Sequence, residues 1–193
     1  MKRLYAILFV IAGIAFAGSN ASAQMMKENA MMKENPMVGG AAMYPSKTIV
    51  ANAVNSADHT TLVAAVKAAD LVDTLNSAGP FTVFAPTNSA FDQLPAGTVD
   101  TLLKPENKPT LTKVLTYHVV PGKYDSKALA KLIKKGNGKA WLKTVSGNTL
   151  TVMLNSGNIV LKDEKGGTST VTTADVYQSN GVIHVVNSVL LPN

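Results

Sequence analysis

The sequence contains no cysteine. This absence excludes disulfides and cysteine-linked lipids, so a folded chain has to be held together by packing alone. Arginine is almost as scarce, since Arg3 is the only one and every other basic residue is a lysine. Planar, bidentate recognition of guanine and phosphate favours arginine, and the composition therefore argues against a protein that reads nucleic-acid sequence.

Long apolar runs are also few. The one run of note, Leu4 to Ala17, follows Lys2 and Arg3 and precedes the small residues Ala21-Ser22-Ala23. This arrangement is typical of a cleaved signal peptide, which we place at residues 1–23. We therefore expect a secreted or periplasmic protein with no membrane span in its mature chain. Loss of the two basic residues lowers the formal net charge of +6 by two.

A methionine-rich stretch follows the predicted cleavage site. Residues 25–29 and 31–35 repeat the pattern Met-Met-Lys-Glu-Asn, and Pro36, Gly39 and Gly40 come next. A six-residue spacing fits neither a helical stripe nor a strand, so we interpret residues 24–44 as a flexible leader. The folded domain is then expected over residues 45–193.

Within that domain, helical patterns come first and strand patterns later. Apolar residues at helical spacing predict short helices between residues 49 and 75, near 99–103, and over 109–118 and 126–135. Residues 81–85 interrupt them as a strand that ends at Pro86. After Trp141, runs of β-forming residues alternate with Gly- and Asn-containing turns. The order predicts an α+β domain with a mixed or antiparallel sheet.

Three motifs carry a resemblance to a known family. They are GPFTVFAPTNSAF at residues 79–91, the pair Tyr117-His118, and NGVIHVVNSVLLP at residues 180–192. Their order and spacing resemble the fasciclin-type domain, in particular its exported single-domain bacterial members. The resemblance implies a twisted β-wedge packed beside an α-helical bundle, with the first and last motifs as neighbouring core strands. It also implies adhesion or matrix interaction without catalysis or an obligatory cofactor.

The resemblance also implies candidate partner-binding residues. In family members that bind integrins, an Asp-Ile pair precedes the last motif, and the matching residues here are Asp175 and Val176. The Tyr-His region, here Tyr117 and His118, is tied to attachment in the family. The alternative is structural: Asp175 caps a turn, and the Tyr-His pair packs into the core. The expected partner is an extracellular or cell-surface protein or polysaccharide, and the protein is expected to be a monomer.

Lysines form the densest charge feature of the sequence. They fall on the amphipathic segment 126–135 and just beyond it, as Lys127, Lys131, Lys134, Lys135, Lys139 and Lys143. A solvated helix face is the simplest interpretation. The functional alternative is contact with an anionic polysaccharide, lipopolysaccharide or membrane surface.

Motifs for catalysis or metal binding are missing. His59, His118 and His184 are too scattered for a local zinc site, and neither G-x-S-x-G nor a calcium-loop pattern occurs. We therefore predict a non-enzyme without a cofactor. The competing hypothesis uses the leader, because thioethers are soft ligands suited to Cu(I). Its candidate ligands are Met25, Met26, Met31 and Met32, with Met37 and Met43 as further donors.

Overall fold

The structure is a computed structural model that describes residues 35–193. The predicted signal peptide and residues 24–34 of the leader lie outside the described residues. Short 3-10 turns occur at Ala57–His59 and Pro105–Asn107. The α-helices are α1 (Ile49–Ala53), α2 (Thr60–Ala68), α3 (Val72–Asn76), α4 (Asn88–Asp92), α5 (Thr98–Leu102), α6 (Lys108–Tyr117) and α7 (Ser126–Lys135).

The strands form a two-stranded hairpin and one seven-stranded sheet in the order β4-β3-β9-β8-β7-β6-β5. Among the strands of residues 35–193, only β3 and β9 pair in parallel, and the other neighbours in this sheet are antiparallel. The predicted mixed sheet is confirmed. The strands are β1 (Met37–Val38), β2 (Ala41–Ala42), β3 (Phe81–Pro86), β4 (Val119–Pro121), β5 (Lys139–Lys143), β6 (Thr149–Asn155), β7 (Asn158–Lys162), β8 (Thr168–Gln178) and β9 (Gly181–Val186).

The parallel pair β3–β9 lies at the centre of the domain and is buried on both faces. On one face, Val83 and Ile183 belong to a core that also contains residues of α1, α2 and α3. On the other face, Phe84 and Val186 belong to a second core, built from α7 and strands β5 to β7. A strand buried on both sides is expected to be apolar along most of its length, and β3 is apolar except for Thr82. The expectation that the first and last motifs are neighbouring core strands is confirmed.

Three of the described helices begin at polar side-chain caps, the first being α1, where Thr48 accepts the Ala51 N–H at 3.3 Å. Thr87 accepts the Ala90 N–H at 3.3 Å and caps α4 directly after the proline that ends β3. Asp125 accepts the Ala128 N–H at 2.8 Å and caps α7. These side chains satisfy backbone donors that have no partner within the helix, and they set where each helix starts.

The structure extends the ordered domain further toward the N-terminus than the predicted boundary at residue 45. Strands β1 and β2 form a hairpin closed by a hydrogen bond from Met43 N–H to Pro36 O. Met43 is only 2% exposed and packs in the same core as Ile49. An apolar side chain buried there contributes to packing, whereas a flexible leader would leave it in water.

Strand β8 is longer than the β-forming run of residues 168–173, which by itself predicts a strand of six residues. It continues to Gln178 because an irregularity in its pairing with β9, between Val171 and Val176, redirects the chain and then resumes the ladder. Asp175 lies within this bulge and has a left-handed backbone, with φ of 61°. Bulges of this kind redirect individual side chains, and this one positions the Asp175 carboxylate.

Candidate functional site

Tyr117, a predicted partner-binding residue, lies at the end of α6 inside the second core. Its ring is fully buried, and its hydroxyl donates to Thr149 O at 3.0 Å. Burial raises the pKa of Tyr117 to about 12, so the phenol stays protonated and keeps this hydrogen bond at neutral pH. The side chain has no surface to offer a partner.

His118 is buried beside it and bonds on both sides of the ring. Nδ1 lies 2.8 Å from Val114 O, and Nε2 accepts the Leu190 N–H at 3.0 Å. Because a carbonyl oxygen only accepts, the proton belongs on Nδ1. Burial lowers the pKa of His118 to about 4, which keeps the ring neutral and suits it to this double role. His118 therefore ties α6 to the chain that follows β9.

Asp175 and Val176 are adjacent in sequence but point to opposite environments. Val176 is buried in the core next to the helices. The Asp175 carboxylate accepts the Ser126 N–H at 2.6 Å and the Ser126 hydroxyl at 2.5 Å. It thus stabilises the first turn of α7 together with Asp125, as an anionic group at a helix N-terminus does. Of the four predicted partner-binding residues, Asp175 alone is not fully buried.

A serine, a histidine and an aspartate lie close together where the bulge of β8 contacts the first turn of α7, and we call this contact the junction. The same three residue types form the catalytic triad of many hydrolases, so the two arrangements need to be compared. Such a triad needs the histidine between the serine and the carboxylate. Here Ser126 bonds directly to Asp175, while His184 Nε2 donates to Tyr124 O at 2.8 Å and its Nδ1 lies 3.4 Å from the Asp175 N–H. Burial lowers the pKa of His184, and its ring stacks on Phe84. The group is a structural network, with no base positioned on the serine.

The exposed rim of this junction was not predicted from the sequence. Tyr177 donates its hydroxyl to Asp125 Oδ2 at 3.3 Å, and Lys123 Nζ lies 4.8 Å from the centre of the Tyr177 ring. The hydrogen bond from the Ala128 N–H lowers the pKa of Asp125, which holds it as a carboxylate. The position of Asp125 directly before an amphipathic helix is a sequence signal for its role as a helix cap. Its hydrogen bond with Tyr177 joins residues far apart in the chain, and no local sequence pattern predicts such a contact.

The fold divides the lysine group into two sets. Lys127, Lys131 and Lys134 follow one exposed stripe of α7, and Lys135 extends it. Helix α7 packs its apolar side, with Leu129, against the inner face of β5. The remaining two, Lys139 and Lys143, alternate to the outer face of β5 and so lie on the other side of the sheet.

A small cavity lies between helices α1 to α3 and the central strands. Its volume is about 70 Å³ and its lining is almost entirely apolar, with Ile49, Leu62, Leu75, Val83 and Ile183 among the lining residues. An apolar cavity of this size stays dry and offers no converging polar groups to orient a substrate.

The candidate Cu(I) ligands fall on both sides of residue 35, where the described structure begins. Met25, Met26, Met31 and Met32 lie outside the described residues. Met37 is exposed, while Met43 is buried in the core and is not available as a surface ligand. Within residues 35–193, no group of three His, Asp or Glu side chains is arranged to hold a metal ion. Over the same range, no helix is long and apolar enough to cross a membrane.

The fold and this junction together define an α+β wedge module whose buried polar groups serve its own architecture. The fasciclin domain family model matches residues 57–192, and the chain belongs to that family. Protein sll1483 of Synechocystis is 47% identical over 167 residues, which cover 86% of each chain. Immunogenic protein MPB70 of Mycobacterium bovis is 37% identical over 145 residues, 72% of this chain and 66% of the relative.

A larger animal protein and a solved structure extend the comparison. Transforming growth factor-beta-induced protein ig-h3 of Sus scrofa is 37% identical over 131 residues, 68% of this chain but only 17% of the relative. The structure of a FAS1 domain pair from the insect cell adhesion molecule fasciclin I superposes with a TM-score of 0.66 at 22% identity. It covers 75% of this chain and 51% of that one. This likeness confirms the fold expected from the resemblance.

Proposed function

We propose that this protein is a non-catalytic fasciclin module that mediates cell adhesion or binding to an extracellular matrix or surface. The observation that carries the proposal is the closed hydrogen bonding of Ser126, Asp175 and His184, which leaves no reactive group positioned for chemistry at this junction of the described structure. Membership of a family with a cell adhesion molecule among its solved structures supports the same conclusion. On this proposal, the exposed outer surface of the domain is the part that contacts the partner.

The proposal is tested by attachment. A strain lacking the gene should attach less to its natural surface, and purified protein should bind whole cells or biofilm matrix. Two triple variants with the same change in charge locate the contact. Lys127→Gln/Lys131→Gln/Lys134→Gln removes the α7 stripe, and a control removes three exposed lysines elsewhere, Lys67, Lys104 and Lys165. Unchanged attachment of the deletion strain, together with no retained partner, would overturn the proposal.

Export is part of the same proposal. The signal-peptide pattern of residues 1–23 supports secretion or delivery to the periplasm, with a mature chain that starts at Gln24 and acts as a monomer. The mass of the protein recovered from periplasmic and culture fractions checks the cleavage site and the compartment. Light scattering of the purified protein checks the oligomeric state.

The competing function, Cu(I) binding through Met25, Met26, Met31 and Met32, rests on the sequence pattern. The structure sharpens its test. Truncation at Tyr44 would remove the buried side chains of Val38 and Met43 and so disturb the domain. Replacing the four leader methionines by leucine leaves the domain unchanged. A Cu(I) titration in which this variant binds as much metal as the parent chain rules the leader out.

A further inference from the structure

Trp141, the only tryptophan in the chain, lies in the middle of the edge strand β5 and is 64% exposed. Its neighbours Ala140 and Leu142 are buried against α7, so alternation along the strand turns the indole outward. A large aromatic ring held in water by a regular strand adds nothing to the core. It is instead the kind of rigid, two-sided residue that dominates binding surfaces.

Three lysines surround this ring on the same outer face. Lys139 and Lys143 lie two residues away on either side, about 6.6–6.8 Å along the strand. Trp141 pairs with Thr151 on β6, and Thr151 pairs in turn with Lys162 on β7. Two strand spacings put Lys162 roughly 9.5 Å across the sheet from Trp141.

The outward side chains around the ring include no acid, and the one carboxylate bonded to this surface is that of Glu164, which accepts the backbone N–H of Thr149 at 3.0 Å at its border. We define the Trp141 face by the outward residues Lys139, Trp141, Lys143, Thr149, Thr151, Met153 and Lys162, none of which is acidic. Among residues 35–193 the single ion pair joins Lys108 to Asp70 and involves none of the three lysines of the Trp141 face. The three lysines of the Trp141 face therefore keep their charge available to an external anion.

We propose that the Trp141 face binds an acidic polysaccharide, and this proposal rests on the proposed function. The flat indole offers a stacking platform for the apolar side of a sugar ring. Thr149 and Thr151 supply hydroxyl groups for the sugar hydroxyls, and the lysines on three sides meet carboxylate or sulfate groups along the polymer.

Two other interpretations of the Trp141 face account for fewer of its residues. Lysines on an edge strand prevent strand-to-strand aggregation, but that role is served by Lys139 and Lys143 alone and is weakened by an exposed tryptophan between them. Insertion into a lipid surface uses a broad apolar face with several large side chains. Here Met153 is half-buried and Trp141 is otherwise surrounded by threonine and lysine.

The single tryptophan makes the test direct, because intrinsic tryptophan emission reports on this face alone. The full chain is titrated with alginate, a polymer of uronic acids, and with neutral dextran of similar length, at an ionic strength where the Debye length is about 8 Å. We expect alginate to shift Trp141 emission to shorter wavelength and dextran to leave it unchanged.

Affinity for alginate, measured by calorimetry, is then compared across variants. Trp141→Ala should weaken binding about tenfold, and Trp141→Phe, which keeps a ring, should weaken it less. Lys139→Gln/Lys143→Gln/Lys162→Gln should weaken it by about fivefold for each lysine removed. Lys127→Gln/Lys131→Gln/Lys134→Gln, with the same loss of charge on the other side of the sheet, should leave it within about twofold, since those charges are screened.

Several outcomes would overturn the proposal. Absence of an alginate-induced emission shift does so, as does equal loss of affinity from both lysine triples. A shift with vesicles of phosphatidylcholine and phosphatidylglycerol but not with alginate identifies a lipid surface instead. A shift that depends on protein concentration alone identifies a second copy of the chain. If Trp141→Ala attaches to cells and matrix like the parent protein, this inference fails while the adhesion function stands.

Discussion

Ser126 and Asp175 are 49 residues apart in the chain, yet the Asp175 carboxylate accepts both the backbone N–H and the hydroxyl of Ser126, at 2.6 and 2.5 Å. The contact joins the bulge of β8 to the first turn of α7. It uses the residue that the family resemblance marked for partner binding. Asp175 thereby has a measurable structural role, which can be separated from any role in adhesion.

Replacing Asp175 should lower the stability of the domain. Asp175→Ala removes both hydrogen bonds and leaves a β-carbon in a left-handed backbone, at a cost of about 2 kcal/mol in the free energy of unfolding. Asp175→Asn tolerates that backbone and keeps an acceptor, so it should cost less. Urea unfolding at neutral pH measures both.

Asp175→Gly is the matched control, since glycine relieves the backbone but has no carboxylate. We expect its stability to lie between those of the asparagine and alanine variants. Attachment of the Asp175→Asn variant, measured at a temperature where it is fully folded, should equal that of the parent. A large loss of attachment there would show that Asp175 contacts the partner directly.

The buried histidines predict an acid-sensitive fold. Burial lowers the pKa of His118 to about 4, below its ordinary value of 6.5. Between those values the unfolded chain takes up a proton that the folded chain does not, so the free energy of unfolding falls as the pH falls. For His118 alone the fall between pH 7 and pH 5 is about 2 kcal/mol. Burial also lowers the pKa of His59 and of His184, which act in the same direction.

His118→Gln isolates this contribution, because the glutamine amide can both donate and accept hydrogen bonds but does not titrate. Urea unfolding of the variant at pH 7 and pH 5 should show a smaller loss of stability than the parent. The hydrogen bonds that lower the pKa of Asp125 and of Glu164 stabilise the fold throughout this window, and that stabilisation is lost only at lower pH, where those carboxylates become protonated. Equal pH dependence of the two proteins would contradict the assignment of His118 as neutral in the fold.

Local patterns in the sequence were enough to predict the main architecture. Residues 81–85 predicted a strand that ends at Pro86, and the apolar spacing of residues 126–135 predicted a helix. Both are confirmed, because turn and capping chemistry is decided by residues close in the chain. The family motifs supplied the non-local pairing of β3 with β9, which no local pattern could indicate.

The surface was less predictable, because it depends on which segments become neighbours. The lysines between 127 and 143 form one cluster in the sequence, but helix α7 packs on the inner face of the sheet, whereas Lys139 and Lys143 of strand β5 point to its outer face. Trp141 was predicted only to begin a strand. Its outward direction follows from the register of β5 with β6, and a shift of one residue would have buried it.

The hairpin of β1 and β2 should contribute to the stability of the domain, although its sequence lies in the segment predicted to be a flexible leader. A β-carbon on Gly39 would collide with the Ser56 hydroxyl and lie 2.6 Å from Asp58 N, whereas one on Gly40 would meet open space. Both glycines have positive φ, so alanine strains the backbone at either position. We expect Gly39→Ala to cost about 2 kcal/mol more than Gly40→Ala in urea unfolding. Equal costs would mean that the hairpin is not packed against the turn at residues 56–58.

Asn180 joins three separate segments and should be among the least replaceable polar residues. Its side chain accepts the Ile49 N–H at 3.0 Å and donates to Leu75 O at 2.7 Å and to Ser77 O at 3.0 Å. Asn180→Ala leaves these buried backbone groups without partners and should cost about 3 kcal/mol in the free energy of unfolding.

Asn180→Asp keeps the acceptor for Ile49 but places a carboxylate against two carbonyl oxygens, so at neutral pH it should destabilise the domain at least as much. Asn158→Ala, at the exposed first residue of β7, is the control and should change stability by less than about 0.5 kcal/mol. Urea unfolding measures the free energy of unfolding of the three variants and of the parent protein. A loss for Asn180→Ala no larger than that for Asn158→Ala would show that the Ile49, Leu75 and Ser77 backbone groups find other partners.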